Sequence, residues 1–271
     1  MVTHRPASGT AYRNGRFAAS TRELAEEAAV AISYNGTSHA VLMATPADLE
    51  DLAYGFSLTE GLVASVAEIE EVATVDCGRG LDLQVSLAGD AGQRLAERRR
   101  SMAGPVGCGL CGIESLEAAM RETAPVAADL RLAPAEVSRA VAAMAKMQAL
   151  NLRTRAVHAA GFYQSERGLV LVREDVGRHN ALDKLIGAAA RAGIDMATGA
   201  VVLTSRLSIE LVQKTAVAGC GILVAVSAPT ALAVDEAEAA GITLAAVARG
   251  DEFELFTHPQ RIIGGSLQDV A

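Results

Sequence analysis

Three apolar runs decide the fold: Ala200-Val201-Val202-Leu203, Ile222-Leu223-Val224-Ala225-Val226 and Ile242-Thr243-Leu244-Ala245-Ala246-Val247. Each is short, continuous and rich in β-branched residues, as a strand buried on both faces requires. Between them lie two segments with helical patterning, residues 208–218 and 231–240. Upstream, the order continues as a helix over 134–150, with Val137, Val141 and Met144 on one face, strands over 156–163 and 169–173, and a helix over 180–192. Strands alternating with helices predict parallel pairing and a sheet covered on both faces, a three-layer α/β/α domain.

Ligands of such sheets bind beyond the carboxyl ends of the strands, where loops enter helix N-termini. Three loops have that position: Asp175-Val176-Gly177-Arg178-His179-Asn180, Thr204-Ser205-Arg206 and Ser227-Ala228-Pro229-Thr230. Their hydroxyls, free N–H groups and cations suit a phosphorylated or nucleotide ligand. For Asp175, Arg178, His179 and Asp183, helix capping and ordinary surface charge explain the residues equally well. His158, in an apolar strand, reads first as a satisfied core histidine.

The first half reads differently. Strand-like runs over 29–34 and 39–43 flank the turn former Asn35-Gly36 and predict a hairpin. Thr45-Pro46-Ala47-Asp48 reads as a helix start, with Thr45 as N-cap, Pro46 at the first helical position and Asp48 in the capping-box position; Gly61 closes the helix. Leu49, Leu52, Ala53 and Phe56 form its buried face. Leu81, Leu83, Val85 and Leu87 alternate with polar or small residues after Gly78-Arg79-Gly80, a second hairpin. The resulting division is a flexible tail over 1–15, a smaller N-terminal α+β domain over 16–125, and the α/β/α domain over 126–271.

Near the end of the first half stands Gly107-Cys108-Gly109-Leu110-Cys111-Gly112, followed at once by a helix-like run over 113–120. A thiol just before a helix start feels the positive end of the peptide dipoles, which favours the thiolate. Three readings stay open on spacing alone: reactive sulfur chemistry, half of a structural zinc site, or inert loop cysteines. Zinc needs about four ligands, and the other cysteines, Cys77 and Cys220, are single and distant. A thioredoxin-like dithiol would sit in a βαβ context, which this segment lacks.

The chain has 271 residues, is 51% hydrophobic and carries a formal net charge of -8. That acidity disfavours nonspecific nucleic-acid binding, although Arg98-Arg99-Arg100 is a local basic patch. No stretch reaches the roughly 18 uninterrupted apolar residues that span a bilayer, and the polar start lacks a secretory signal's apolar core. The expectation is a cytoplasmic protein without membrane contact.

Arg173-Glu174-Asp175-Val176-Gly177-Arg178-His179-Asn180-Ala181-Leu182-Asp183-Lys184, the cysteine motif, Thr45-Pro46 through Glu60-Gly61, Leu203-Thr204-Ser205-Arg206 and Phe256-Thr257-His258-Pro259-Gln260-Arg261 together resemble the FdhD/NarQ family. These are accessory sulfur carriers for formate dehydrogenase, and the resemblance runs from about residue 20 to the C-terminus. It implies a cytidine-deaminase-like α/β/α domain, agreeing with the alternation above. It implies a sulfurtransferase that accepts sulfane sulfur from a cysteine desulfurase. The sulfur passes to the molybdenum cofactor, in its bis-molybdopterin guanine dinucleotide form, before insertion into the formate dehydrogenase catalytic subunit.

Cys108 then carries the persulfide and Cys111 assists. Phe256, Thr257, His258, Pro259, Gln260 and Arg261 form a cofactor-binding segment. Thr204, Ser205 and Arg206, with Arg178 and His179, are further candidates for guanine-nucleotide phosphates. A homodimer is implied, with no resident metal. The second half lacks the Pro-Cys-x-x-Cys of a deaminase zinc site, so deamination is disfavoured. Two rivals remain: a cofactor-binding chaperone with structural cysteines, and a nucleotide-processing enzyme on the shared fold.

Overall fold

The computed structural model describes residues 1–102 and 123–264. The polar start, expected as a tail, is instead a strand. β1 (His4–Arg13) pairs antiparallel with β2 (Arg16–Ala25) as a separate two-stranded sheet. Asn14 and Gly15 both take positive φ at its tip, the conformation a two-residue hairpin turn demands.

The next elements build the first core. β3 (Ala28–Tyr34) and β4 (Thr37–Ala44) form the expected Asn35-Gly36 hairpin, followed by α1 (Leu49–Thr59), β5 (Ile69–Asp76), β6 (Leu81–Leu87) and α2 (Gly89–Met102). The sheet order is β4-β3-β6-β5, with β3 and β6 parallel. Val30, Ile32, Tyr34, Leu83 and Val85 bury one face against Leu49, Leu52, Ala53 and Phe56 of α1.

The helix start predicted at Thr45 is displaced: α1 begins at Leu49, and Asp48 precedes it in the left-handed region without a side-chain cap. The physical reason is that Thr45 is engaged elsewhere. Its N–H donates to Asp175 Oδ2 at 3.0 Å, its Oγ1 accepts from the Val176 N–H at 3.1 Å, and its carbonyl accepts from Lys184 Nζ at 2.9 Å. Gly61 does close the helix, at φ 65°.

The second half contains α3 (Pro134–Met147), α4 (Ala149–Thr154), β7 (His158–Gln164), β8 (Gly168–Asp175), α5 (Arg178–Arg191), β9 (Ala200–Leu203), α6 (Ile209–Val217), β10 (Ile222–Ala225), α7 (Ala231–Ala239), β11 (Thr243–Arg249) and β12 (Glu252–Thr257). Their sheet runs β12-β11-β10-β9-β7-β8. Only β9, β10 and β11 pair in parallel; β7 is antiparallel to β8 and β9, and β12 is antiparallel to β11. The sheet is therefore mixed, because β7–β8 and β11–β12 are hairpins rather than crossovers. One face, with Phe162, Val201, Leu203 and Leu223, is covered by Leu182, Leu185, Leu211 and Ala233. The other, with Ala159, Val202, Ile222 and Ala245, is covered by Val137, Ala140 and Met144 of α3. Among the described residues no helix is long and apolar enough to cross a membrane.

α1 and α5 join the two cores at backbone contact. A Cβ on Gly55 would overlap the Asp183 carbonyl, and one on Gly187 would overlap the Asp51 carbonyl. Ion pairs surround this crossing. Asp51 takes Arg173 Nε at 2.8 Å and Arg191, and Lys184 Nζ meets Asp175 Oδ2 at 2.6 Å with both side chains fully buried. Lys214 Nζ donates to Asp183, Thr59 and Glu60 at 2.7–3.0 Å. Burial works against the Lys214 charge, but Asp183 and Glu60 outweigh it and hold its pKa above the ordinary value. Because neither helix backbone can yield without breaking these pairs, Gly187→Ala should lower the unfolding free energy by about 3 kcal/mol, the upper end of ordinary overpacking. Chemical denaturation checks this; a change within about 0.5 kcal/mol, the scale of neutral surface substitutions, contradicts the close crossing.

Candidate functional site

Strand direction places the candidate residues. β8, β9 and β10 run alike, so the residues after Asp175, Leu203 and Ala225 share one edge of the sheet. β7 runs oppositely and brings His158 beside Asp175 at that same edge. This carboxyl edge therefore holds His158, Arg178, His179, Thr204, Ser205, Arg206 and residues 227–230.

Several of these side chains serve the fold. Buried Asp175 accepts from the Gly177 N–H at 2.7 Å and Asn180 Nδ2 at 3.0 Å, besides Thr45 and Lys184. Asp183 is bound to Lys214. Thr204 extends the sheet: its N–H donates to the Ala159 carbonyl, and its Oγ1 accepts from the Ala159 N–H. Ser205 is buried and donates to the Arg206 carbonyl, whereas Arg206 is exposed. Of that loop, Arg206 is the side chain open to a ligand.

His179 Nε2 lies 3.3 Å from Glu210 Oε2 and 3.4 Å from Ser208 Oγ, which itself donates to Glu210 at 2.6 Å. Burial, reinforced by the Arg178 charge, pushes the His179 pKa down to about 4. Near neutral pH the ring is uncharged, so it offers a hydrogen bond rather than a charge. Burial and Arg178 also lower His158. Arg178 has a buried Nε without a hydrogen-bond partner, a donor that an acceptor entering this edge would satisfy. Glu210 and Ser208 were not singled out from sequence; the signal was a serine with an acidic residue two positions later, at the helix start that follows Thr204-Ser205-Arg206.

The segment over 256–261 lies elsewhere. Leu244 pairs with Thr257, and Ile222 pairs with Thr243, so this segment occupies the amino edge of β10 and β11. Across four-residue strands the two edges are separated by roughly 15 Å. The residues expected to hold one cofactor thus form two groups within one chain. Phe256 is partly exposed; Thr257 is buried, donating to the Ile242 carbonyl at 2.7 Å and accepting from the Leu244 N–H. His258 takes the left-handed conformation, with Nε2 at 2.9 Å from the Glu238 carbonyl and Nδ1 at 3.5 Å from Gln260 Nε2. Pro259 and Gln260 begin a single 3-10 turn that ends at Arg261.

Arg261 is committed to backbone. Its Nε donates to the Ala128 carbonyl at 3.0 Å, and its Nη1 to the Gly241 carbonyl at 2.8 Å and Thr243 Oγ1 at 3.3 Å. It pins residues 123–132, which also bond through Thr123 Oγ1 to Glu236 and through the Val126 N–H to the Ala240 carbonyl. The expected bidentate phosphate clamp is therefore largely occupied by carbonyls.

Cys108 and Cys111 lie outside the described residues, as do the side chains of Arg98-Arg99-Arg100. Cys77 is an exposed free thiol; Cys220 is buried, and burial pushes its pKa up to about 11. Cys220 is thus a packing residue, not a nucleophile. Among the described residues no group of three His, Cys, Asp or Glu side chains is arranged to hold a metal.

The chain belongs to the FdhD/NarQ family, whose model matches residues 25–263. It is 53% identical to the sulfur carrier protein FdhD of Agrobacterium fabrum over 267 residues, 97% of each chain. It is 49% identical to that of Cupriavidus necator over 260 residues, 96% of this chain and 90% of the relative. Among solved structures it resembles a protein assigned as a formate dehydrogenase accessory protein from Desulfotalea psychrophila, with TM-score 0.78 and 27% identity over 97% of this chain and 100% of the other.

The lowered His179 pKa has a definite stability consequence. Between the ordinary value of 6.5 and about 4, the unfolded chain binds a proton that the folded chain refuses. Stability therefore falls as pH falls through that window and levels below it. His179→Gln should lose less melting temperature than the wild type between pH of about 7 and about 4.5. Parallel melting curves would contradict a buried neutral imidazole.

Proposed function

We propose that this protein is a cytoplasmic sulfur carrier for formate dehydrogenase maturation, loading sulfane sulfur on Cys108 and delivering it to the bis-molybdopterin guanine dinucleotide form of the molybdenum cofactor. Two findings support this reading: relatives named sulfur carrier protein match it over nearly its whole length, and the chain that follows the cysteine motif is bonded to Arg261 at Ala128 and Leu132. The second carries the structural argument, because Arg261 fastens the stretch after the motif to the turn assigned to the cofactor. The reading includes a cytidine-deaminase-like layering for residues 126–271, a smaller α+β domain before it, and a homodimer.

Loading begins with the Cys108 thiolate attacking the terminal sulfur of a desulfurase persulfide. The desulfurase S–S bond breaks, its cysteine leaves as thiolate, and Cys108 keeps the sulfur; charge and electrons balance. In delivery, the Cys111 thiolate attacks Cys108 Sγ, forming a Cys108–Cys111 disulfide and releasing sulfide to the metal centre of the cofactor. A dithiol reductant then restores both thiols with two electrons. Glycines beside both cysteines leave room for the desulfurase loop.

The cofactor, as cargo, presents guanine dinucleotide phosphates to two edges. His258 and Phe256 belong to the amino edge; Arg178 and Arg206 offer cations at the carboxyl edge, where the unpartnered Arg178 Nε awaits an acceptor. Thr204, Ser205 and His179 shape that edge without contributing charge.

Peptide mass spectrometry after incubation with an active cysteine desulfurase and cysteine tests the reading. The expected result is one extra, reductant-labile sulfur on the Cys108 peptide, absent in Cys108→Ser, with Cys111→Ala loading normally but failing to release sulfide. Failure to load would leave a cofactor-binding chaperone as the better account. The phosphate assignment fails if Arg178→Ala with Arg206→Ala leaves guanine-nucleotide affinity unchanged.

A further inference from the structure

A cavity of about 410 Å³ lies where the base of the β1–β2 hairpin meets the α3–α4 junction and the edge strand β8. Small-molecule sites run from roughly 300 to 1,000 Å³, so its size is that of a ligand pocket. Met147, Leu150 and Val172 give it an apolar body, and Asp48 and Arg153 place opposite charges on its wall. None of its lining residues belongs to the groups assigned to the cofactor.

The two charges are uncommitted. Asp48 stands directly before α1, where a carboxylate ordinarily accepts from the free N–H groups of the helix. It does not do so here: its backbone is left-handed, at φ 50° and ψ 37°, and its side chain makes no cap hydrogen bond. Its ion pair among the described residues is a loose one, 3.7 Å to Arg173, which lies closer to Asp51 at 2.8 Å. Arg153 lies in the last turn of α4, and its guanidinium makes no hydrogen bond or ion pair among the described residues.

The other polar groups of the wall are occupied. Glu174 accepts from the Leu150 and Asn151 N–H groups at 2.8 Å each and so holds the start of α4. His4 is paired with Glu23 at 2.8 Å. Thr45 serves Asp175, Val176 and Lys184. What the wall leaves free is one cation and one anion around an apolar body.

We propose that this cavity binds a small zwitterion of about dipeptide size, its carboxylate on Arg153, its ammonium on Asp48 and its apolar side chains on Met147, Leu150 and Val172. A planar guanidinium suits a carboxylate because two parallel N–H groups can donate to its two oxygens. A ligand with a single charge would leave the opposite wall charge unpaired as water leaves the cavity, and a neutral ligand would leave both unpaired, each at a desolvation cost. The site also joins separate parts of the chain: Thr3 and His4 come from the hairpin base, Asp48 from the segment before α1, and Arg153 from the second core. Arg22 already ties β2 to the Thr154 carbonyl at 3.2 Å, and a ligand seated here adds a second tie between hairpin and body.

Isothermal titration calorimetry of the full chain with leucyl-leucine tests this, with N-acetyl-leucyl-leucine and leucyl-leucine amide as ligands that each lack one charge. Leucyl-leucine should bind one-to-one with a dissociation constant below about 1 mM. Each blocked ligand should bind at least about tenfold more weakly, the effect of losing one charge-assisted hydrogen bond. Arg153→Gln should weaken leucyl-leucine about tenfold while leaving the affinity for its amide unchanged, because the amide has no carboxylate to lose. Asp48→Asn should do the same with the acetylated ligand; asparagine tolerates the left-handed backbone at this position. Both positions are exposed, and should a variant misfold, the blocked ligands test the same two contacts on the unaltered protein. An absence of saturable binding, or binding indifferent to the loss of either ligand charge, overturns the proposal. So does leucyl-leucine binding that Arg153→Gln and Asp48→Asn leave unchanged, which would place the ligand elsewhere on the molecule.

Discussion

The structure depends on two glycines that let α1 and α5 touch backbone to backbone. Gly55 and Gly187 bring Asp51 and Asp183 within reach of arginines and lysines from other elements. Two lysine–carboxylate pairs are thereby removed from water, Lys184 with Asp175 and Lys214 with Asp183. Burying such ions is costly, and their attraction compensates only when the remaining donors and acceptors are satisfied. Here they are: Thr45, Thr59, Glu60, Gly177 and Asn180 complete the set. The N-terminal sheet is consequently held in one orientation on the larger one.

That orientation bears on function. The segment with the cysteine motif connects α2, in the first core, to Thr123, at the amino edge of the second sheet. Both attachment points are fixed to one body by the α1–α5 crossing. The described cysteines offer no rival chemistry at that edge, Cys220 being buried with a raised pKa. At the carboxyl edge, His158 and His179 are disfavoured as cations by burial and by the charge of Arg178.

Much of the architecture was legible because local signals agreed with the tertiary ones. Asn35-Gly36 can only turn tightly, and the 200–203 and 222–226 runs are too short for helices and too apolar for a surface. Other features escaped for physical reasons. Thr45 looks like a helix cap, yet its polar groups are used 130 residues away by Asp175 and Val176. The middle of β1, Ser8 to Ala11, is made of small residues whose partners, Thr21 to Ala18, are equally small, so no alternation betrays it. The direction of β7 and β12 depends on hairpin connections, which local periodicity does not encode. The division of the site followed from the same cause: residues 256–261 return on an antiparallel strand and end at the edge opposite Arg178 and Arg206.

The central claim is that sulfur held on Cys108 becomes the sulfur ligand of the dehydrogenase cofactor. The most direct measurement is to load the full-length protein with isotopically labelled sulfur through a cysteine desulfurase, mix it with reductant and the sulfur-free molybdenum cofactor, and follow the label into the client formate dehydrogenase. The account predicts label in the cofactor together with gain of formate oxidation, both lost with Cys108→Ser. Equal activation by wild type and Cys108→Ser, with no label in the cofactor, would contradict it.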